Sequence, residues 1–167
     1  MLRGAPTTQD RNLHANINFP FEIKGTKPDR VWIDELLNRV GLEGFGARFP
    51  RELSGGMQQR AALVRALSYR PSVLLMDEPF GALDAFTREE MNRLVEEIWL
   101  DTRTTIVLIT HSIDEALEVG DRIMVLHRPA RIAFEAKVSG TVTPERRQEL
   151  RARILDVLGS EAGRDGE

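Results

Sequence analysis

The chain contains no cysteine among its 167 residues, which excludes a disulfide framework and any thiolate metal site. Lysine is nearly as scarce. Lys24, Lys27 and Lys137 follow Ile23, Thr26 and Ala136. With no Gly-Lys pair, the sequence has no Gly-x-x-x-x-Gly-Lys-Ser/Thr phosphate loop. Apolar runs are short: Val73–Met76 and Ile106–Ile109 fall far below the roughly 20 residues a membrane helix needs. Met1–Pro6 opens without an apolar stretch of signal-peptide length. A formal net charge of −3 leaves no basic excess for nucleic acid. What remains is an ordinary globular composition, long enough for a hydrophobic core. The expectation is a cytoplasmic protein whose membrane association, if any, runs through a partner.

Residues 1–27 are poorly patterned, with one short apolar segment at Ile17–Ile23. Pro28 and Asp29 then sit where a helix begins, and Trp32, Ile33, Leu36, Leu37 and Val40 repeat at helical spacing before Gly41 stops it. A second helix is predicted from Ser54 to about Ser68, burying Met57, Ala61, Val64 and Leu67. Val73–Met76 and Ile106–Ile109 read as strands covered on both faces of a parallel sheet, with an amphipathic helix between them marked by Met91, Leu94, Val95, Ile98 and Trp99. Ser112–Glu115 has the capping-box pattern and opens a short helix ending near Gly120. A third strand is predicted at Ile123–Leu126, an antiparallel edge strand at 132–138, and a last helix capped by Thr143 with Pro144 in its first turn. Strands alternating with helices imply crossover connections and a parallel sheet. Ligands bind such sheets beyond the carboxyl ends of the strands, which directs attention to Asp77-Glu78 and Thr110-His111.

Adjacent carboxylates at the end of an apolar strand need a cation or an open cleft. A hard oxygen ligand for Mg²⁺ beside a carboxylate aimed at water is what phosphoryl hydrolysis requires. The pair also reads as plain surface acid before a turn. Leu53–Arg60 places Ser54, Gly55 and Gly56 at a helix start. There they serve as a cap with flexible glycines, or as exposed N–H groups that attract a phosphate. His111 is either an exposed histidine or a hydrogen-bonding partner for a terminal phosphate. Gly81–Asp84 is a turn by composition.

In their order and spacing these segments resemble the ATP-binding subunits of ABC transporters, over roughly residues 13–138. Leu53–Arg60 looks like the family signature, Val73–Pro79 like its Walker B strand, and Gly81–Asp84 like its D-loop. The resemblance implies an α/β fold, part of a P-loop NTPase: parallel strands with crossover helices, part of a helical subdomain, and a C-terminal hairpin and helix. It implies ATP and Mg²⁺ as cofactors. Asp77 is then the metal ligand, Glu78 polarises the hydrolytic water, and His111 is the switch histidine. Ser54, Gly55, Gly56, Gln58 and Asp84 face the nucleotide, as does Gln9 if Gln9-Asp10 is a shortened Q-loop. The implied divisions are a remnant at 1–27, a helical subdomain at 28–70, a catalytic core segment at 71–140, a helix at 141–158 and a tail at 159–167. The wording Asp77–Arg88, with Arg128–Ile132, is most similar to nitrate, sulfonate and taurine importers.

The same resemblance implies partners: a second ATPase subunit packed head to tail, transmembrane permease subunits, and indirectly a periplasmic or lipid-anchored solute-binding protein. Such a subunit is cytoplasmic and peripheral to the membrane. DNA-repair and chromosome ATPases share this logic but need heptad coils or a basic surface, and neither is present. The resemblance implies an ATP-hydrolysing subunit that energises uptake of a small solute such as nitrate, sulfonate or taurine. Without the phosphate loop and an upstream adenine-stacking aromatic, the expectation is a truncated piece of it that is inactive in isolation. Its strand faces are expected to be exposed and the chain prone to aggregate. The alternative is an interaction module that turns nothing over.

Overall fold

Leu74 and Met76, only 3% and 1% exposed, anchor the sheet that carries the strand-end carboxylates. In the computed structural model, which describes residues 2–3, 8–81, 83–129, 131–138 and 143–162, β1 (Leu2–Arg3), β2 (Val73–Asp77) and β3 (Thr105–Ile109) run parallel in the order β1-β2-β3. Leu74 pairs with Ile106, Met76 with Leu108 and Asp77 with Ile109. The parallel step from β2 to β3 requires a crossover, supplied by α4 (Ala85–Thr102).

Burial on both faces of β2 does not hold. Among the described residues, Leu74 and Met76 join the core while Val73 and Leu75 are 51% and 46% exposed. Val107 and Ile109 of β3 are exposed as well. A strand made only of apolar residues carries no alternation, so its sequence does not say how many faces are covered. One face of both strands is therefore open among the described residues.

The stretch read as poorly patterned contains α1 (Leu13–Lys24), with Pro20 inside it. Asn12 caps it: its side chain accepts from the Ala15 N–H at 2.9 Å. Leu13, Ile17 and Phe21 face the core. Pro20 masks the helix in the sequence, because an interior proline removes one helical hydrogen bond. Here tertiary contacts outweigh that loss. The Leu13 and His14 amides, which a helix start leaves unpaired, donate to the carbonyls of Arg48 and Gly46 at 2.8 and 2.9 Å.

α2 (Arg30–Arg39) starts at Asp29, whose carboxylate accepts from the Trp32 N–H at 3.1 Å. It buries the predicted stripe Trp32, Ile33, Leu36 and Leu37, and Gly41 follows it at a φ of 67°. A short 3₁₀ turn (Pro50–Glu52) leads into α3 (Gly55–Leu67), which buries Ala61–Val64 and Leu67. Each fully buried Leu or Ile in this cluster contributes about 2 kcal/mol.

The chain divides into two compact units, Met1–Ile109 and Thr110–Glu167, and each is described by itself. In the second, α5 (Ile113–Val119) is capped by Ser112, whose hydroxyl accepts from the Glu115 N–H at 3.2 Å. β4 (Arg122–His127) does not join the parallel sheet among the described residues. It pairs antiparallel with β5 (Arg131–Lys137). A strand of four apolar residues looks alike in either sheet, and the neighbouring edge strand decides the pairing. α6 (Pro144–Ala162), capped by Thr143 as predicted, extends past residue 158. It packs Leu150 and Ile154 with Leu117, Ile123 and Val125. Residues 163–167 of the expected tail lie outside the described residues.

Candidate functional site

β2 ends at half-buried Asp77, and the next residue leaves the sheet abruptly. Glu78 takes a φ of 44°, the left-handed region that costs a residue with a Cβ about 1–2 kcal/mol. It is held there by its own N–H, which donates to the Ile109 carbonyl at 2.8 Å, while its carbonyl accepts from Gly81 at 3.3 Å. The β3 ladder thus extends one residue past Asp77 and turns Glu78 outward, with the residue exposed. Backbone strain held in place by surrounding structure is typical of functional sites.

The turn that follows closes on Asp84. Its carboxylate accepts from the Thr87 N–H at 3.0 Å and from the Thr87 hydroxyl at 2.8 Å, capping α4. The Thr87 amide, then its hydroxyl, hold the Asp84 carboxyl below its usual range. Ala82 of the predicted turn lies outside the described residues.

At the start of α3 the Ser54 hydroxyl accepts from the Met57 N–H at 3.3 Å, and the Ser54 carbonyl accepts from Gln58 at 2.9 Å. The Gly55 and Gly56 amides precede these bonds, in the helix turn whose N–H groups have no intrahelical acceptor. A Cβ added at Gly55 would meet nothing within 4 Å. An open, positively polarised helix end of this kind fits a phosphate oxygen. Gln58 has another engagement: its amide donates to the carbonyls of Pro50 and Leu53 at 3.0 and 3.1 Å, bracing the turn that leads into α3.

These two segments meet. Ser54, Gly56, Met57, Arg60, Leu83, Asp84 and Thr87 line one cavity of about 380 Å³. Arg60 spans its wall, ion-paired to Glu90 at 3.0 Å. Thr87 and Arg60 were not singled out by the sequence reading. The spacing Asp84-x-x-Thr87 is a capping signal that identifies Thr87 in retrospect. A larger cavity of about 620 Å³, lined by Asn12, His14, Asp34, Glu35 and Glu43 among others, contains none of the predicted site residues.

Gln9 occupies an exposed turn organised from below by Asn16, which is 2% exposed. Asn16 Oδ1 accepts from the Thr8 amide and hydroxyl at 2.8 and 3.0 Å. Its Nδ2 reaches the carbonyls of Thr8, Arg11 and Asn12. His111, exposed, opens the second unit just before the Ser112 cap. Among the described residues no group of three or more His, Cys, Asp or Glu is arranged to hold a metal. Mg²⁺ commonly binds through one or two carboxylates with water and phosphate oxygens, a donor set that Asp77 and Glu78 are chemically able to begin.

A parallel sheet with a crossover helix and carboxylates at a strand's carboxyl end is the arrangement of an α/β fold that takes its ligand beyond the strand ends. The ABC transporter family profile matches residues 5–81. The taurine import ATP-binding protein of Roseobacter denitrificans is 50% identical over 130 residues, 76% of this chain and 48% of that protein. An aliphatic sulfonates import ATP-binding protein of Pseudomonas syringae pv. tomato is 43% identical over 127 residues, covering 75% and 55%. A dimeric structure of a bacterial ABC transporter cassette superposes with a TM-score of 0.69 at 32% identity, covering 84% of this chain and 62% of that one. The same cassette in a post-hydrolysis state with ADP and phosphate matches at 0.66. The chain belongs to the ABC transporter ATP-binding family. It spans about half the length of the curated relatives it matches.

Proposed function

We propose that this chain contributes the signature, strand-end carboxylate and switch-histidine parts of an ATP-hydrolysing subunit that energises import of a small solute of the taurine, sulfonate or nitrate class. One observation carries this reading: the glycine-opened start of α3 and the Asp84 turn face a common cavity, with Asp77 and Glu78 immediately ahead of that turn. In this reading Ser54, Gly55 and Gly56 receive phosphate oxygens through hydroxyl and amide donors. Asp77 holds Mg²⁺, directly or through water, and the exposed Glu78 carboxylate orients and polarises the attacking water. His111 hydrogen-bonds the terminal phosphate, and Gln9 links the metal to the permease. Gln58 serves the nucleotide indirectly, through the loop it braces. Mg-ATP supplies the scissile phosphoanhydride and the divalent charge.

The missing Gly-Lys pair sets the terms of partnership. Asp77 and Glu78 present negative charge to a polyanion, so tight binding needs a phosphate loop from another polypeptide segment. A second cassette packed head to tail supplies one, with permease subunits and indirectly a solute-binding protein completing a complex at the cytoplasmic face of the membrane. The same absence supports a second reading, an interaction module without turnover.

A fluorescent Mg-ATP titration distinguishes the readings, run on the chain alone, mixed with a complete taurine-type cassette, and with Glu78→Gln in parallel. The proposal expects no binding to the chain alone up to millimolar nucleotide. In the mixture it expects turnover above that of the complete cassette alone, a gain that Glu78→Gln removes. Association without any contribution to turnover would favour the interaction module. Saturable micromolar binding by the chain alone would overturn the account of its phosphate contacts.

A further inference from the structure

We infer that Thr87 is a positioning residue that fixes the Gly55–Gly56 amides relative to the Asp84 turn. The inference rests on the proposed function for the purpose of those amides, and on geometry for the link itself. Asp84 holds Thr87 from two sides, through its backbone N–H at 3.0 Å and its hydroxyl at 2.8 Å. A threonine χ1 fixed in this way has one direction left for its methyl group. That methyl lies against the signature helix: a Cβ added at Gly56 would stand 3.3 Å from Thr87 Cγ2, tighter than ordinary van der Waals contact. Both residues line the cavity shared with Ser54 and Asp84.

The side chain therefore has two separable halves. Its hydroxyl belongs to the Asp84 turn and its methyl to the signature helix. Movement of the turn passes to the helix start through one rigid, β-branched group. The outer clamp between the same helices, Arg60 with Glu90 at 3.0 Å, leaves this inner contact as the one next to the amides. With no side chain at position 56, the space a Cβ would contest is left to the methyl, so the link meets the helix start and not a flexible side chain.

Amide hydrogen exchange read by mass spectrometry on the full chain, without nucleotide, tests this. Thr87→Ser keeps the hydroxyl and removes the methyl. It is expected to speed exchange over 55–60 by up to about fourfold, the most that losing one methyl contact would give, with 85–90 unchanged. Thr87→Val keeps a methyl and removes the hydroxyl, so it should loosen 85–90 and, with the methyl still against the helix, disturb 55–60 less than Thr87→Ser does. Asp84→Ala should loosen both segments in the wild-type chain but only 85–90 in a Thr87→Ser background. Unchanged exchange at 105–109 reports that each variant is folded. Thr87→Ser with no effect at 55–60 would overturn the inference. So would Asp84→Ala loosening 55–60 equally in both backgrounds. Because no nucleotide is present, failure of the ATPase proposal would leave these outcomes unaltered.

Discussion

The Glu78 N–H donates to the Ile109 carbonyl at 2.8 Å, and this bond holds a carboxylate residue at a φ of 44° just past the end of β2. The strained backbone and the exposed side chain are two aspects of one arrangement. β3 extends its hydrogen bonding by one residue, and Glu78 accepts an unfavourable conformation that turns it outward.

Glu78→Gly is therefore expected to stabilise the protein. Glycine adopts this φ freely, which outweighs its greater unfolded-state entropy, for a net gain of about 1 kcal/mol in urea unfolding. The gain in turnover over the complete cassette alone should vanish. A Glu78→Gly variant no more stable than Glu78→Ala would show that the conformation stores no strain.

Gly46 and His14 should be coupled. A Cβ at Gly46 would stand 2.3 Å from His14 Nε2, so Gly46→Ala must displace the imidazole that lies against the loop. A cost of about 1–2 kcal/mol is expected. His14→Ala should cancel most of it in a double-mutant cycle. Additive effects would place the cost in the backbone instead.

Asn16 is expected to be the most sensitive polar position in α1. Its buried amide joins Thr8, Arg11 and Asn12, and Asn16→Ala leaves those groups without a buried partner, at a cost of about 2 kcal/mol. Limited proteolysis should move to residues 8–12. Cleavage elsewhere with this turn still protected would show that it holds without Asn16.

Stability should fall at acid pH in part through Asp84. Its folded-state pKa is depressed by the Thr87 amide and hydroxyl, so its contribution is present above the unfolded carboxylate pKa of about 4 and lost as pH falls below it. Asn also caps helices but does not titrate in this range. Asp84→Asn should therefore flatten the urea-midpoint profile below about pH 4 while changing it little at pH 7. An acid limb identical to wild type would assign the effect to the other depressed carboxylates, Asp29, Glu52, Glu135 and Glu145.

Wherever a few adjacent residues settle the matter, the amino-acid order alone determined the outcome. Asp29, Ser54, Ser112 and Thr143 cap helices because a short polar side chain reaches an amide within its own turn. The stripe Trp32–Leu37 is buried because 3.6-residue periodicity puts it on one face. The strand ending at Asp77 was legible as well, and with it the place of the carboxylates. Only the tertiary structure decided what depends on residues distant in sequence. Helix α1 survives its internal Pro20 because carbonyls of Gly46 and Arg48 complete its first turn. The strand at Ile123–Leu126 took an antiparallel partner because β5 lies beside it. The apolar run Val73–Met76 shows alternation only where one face packs and the other does not. The methyl of Thr87 holds space that a Cβ at Gly56 would contest, beside a cavity that no local pattern encodes. Capping and periodicity act over one or two turns of chain, whereas face coverage and close approach are properties of packing.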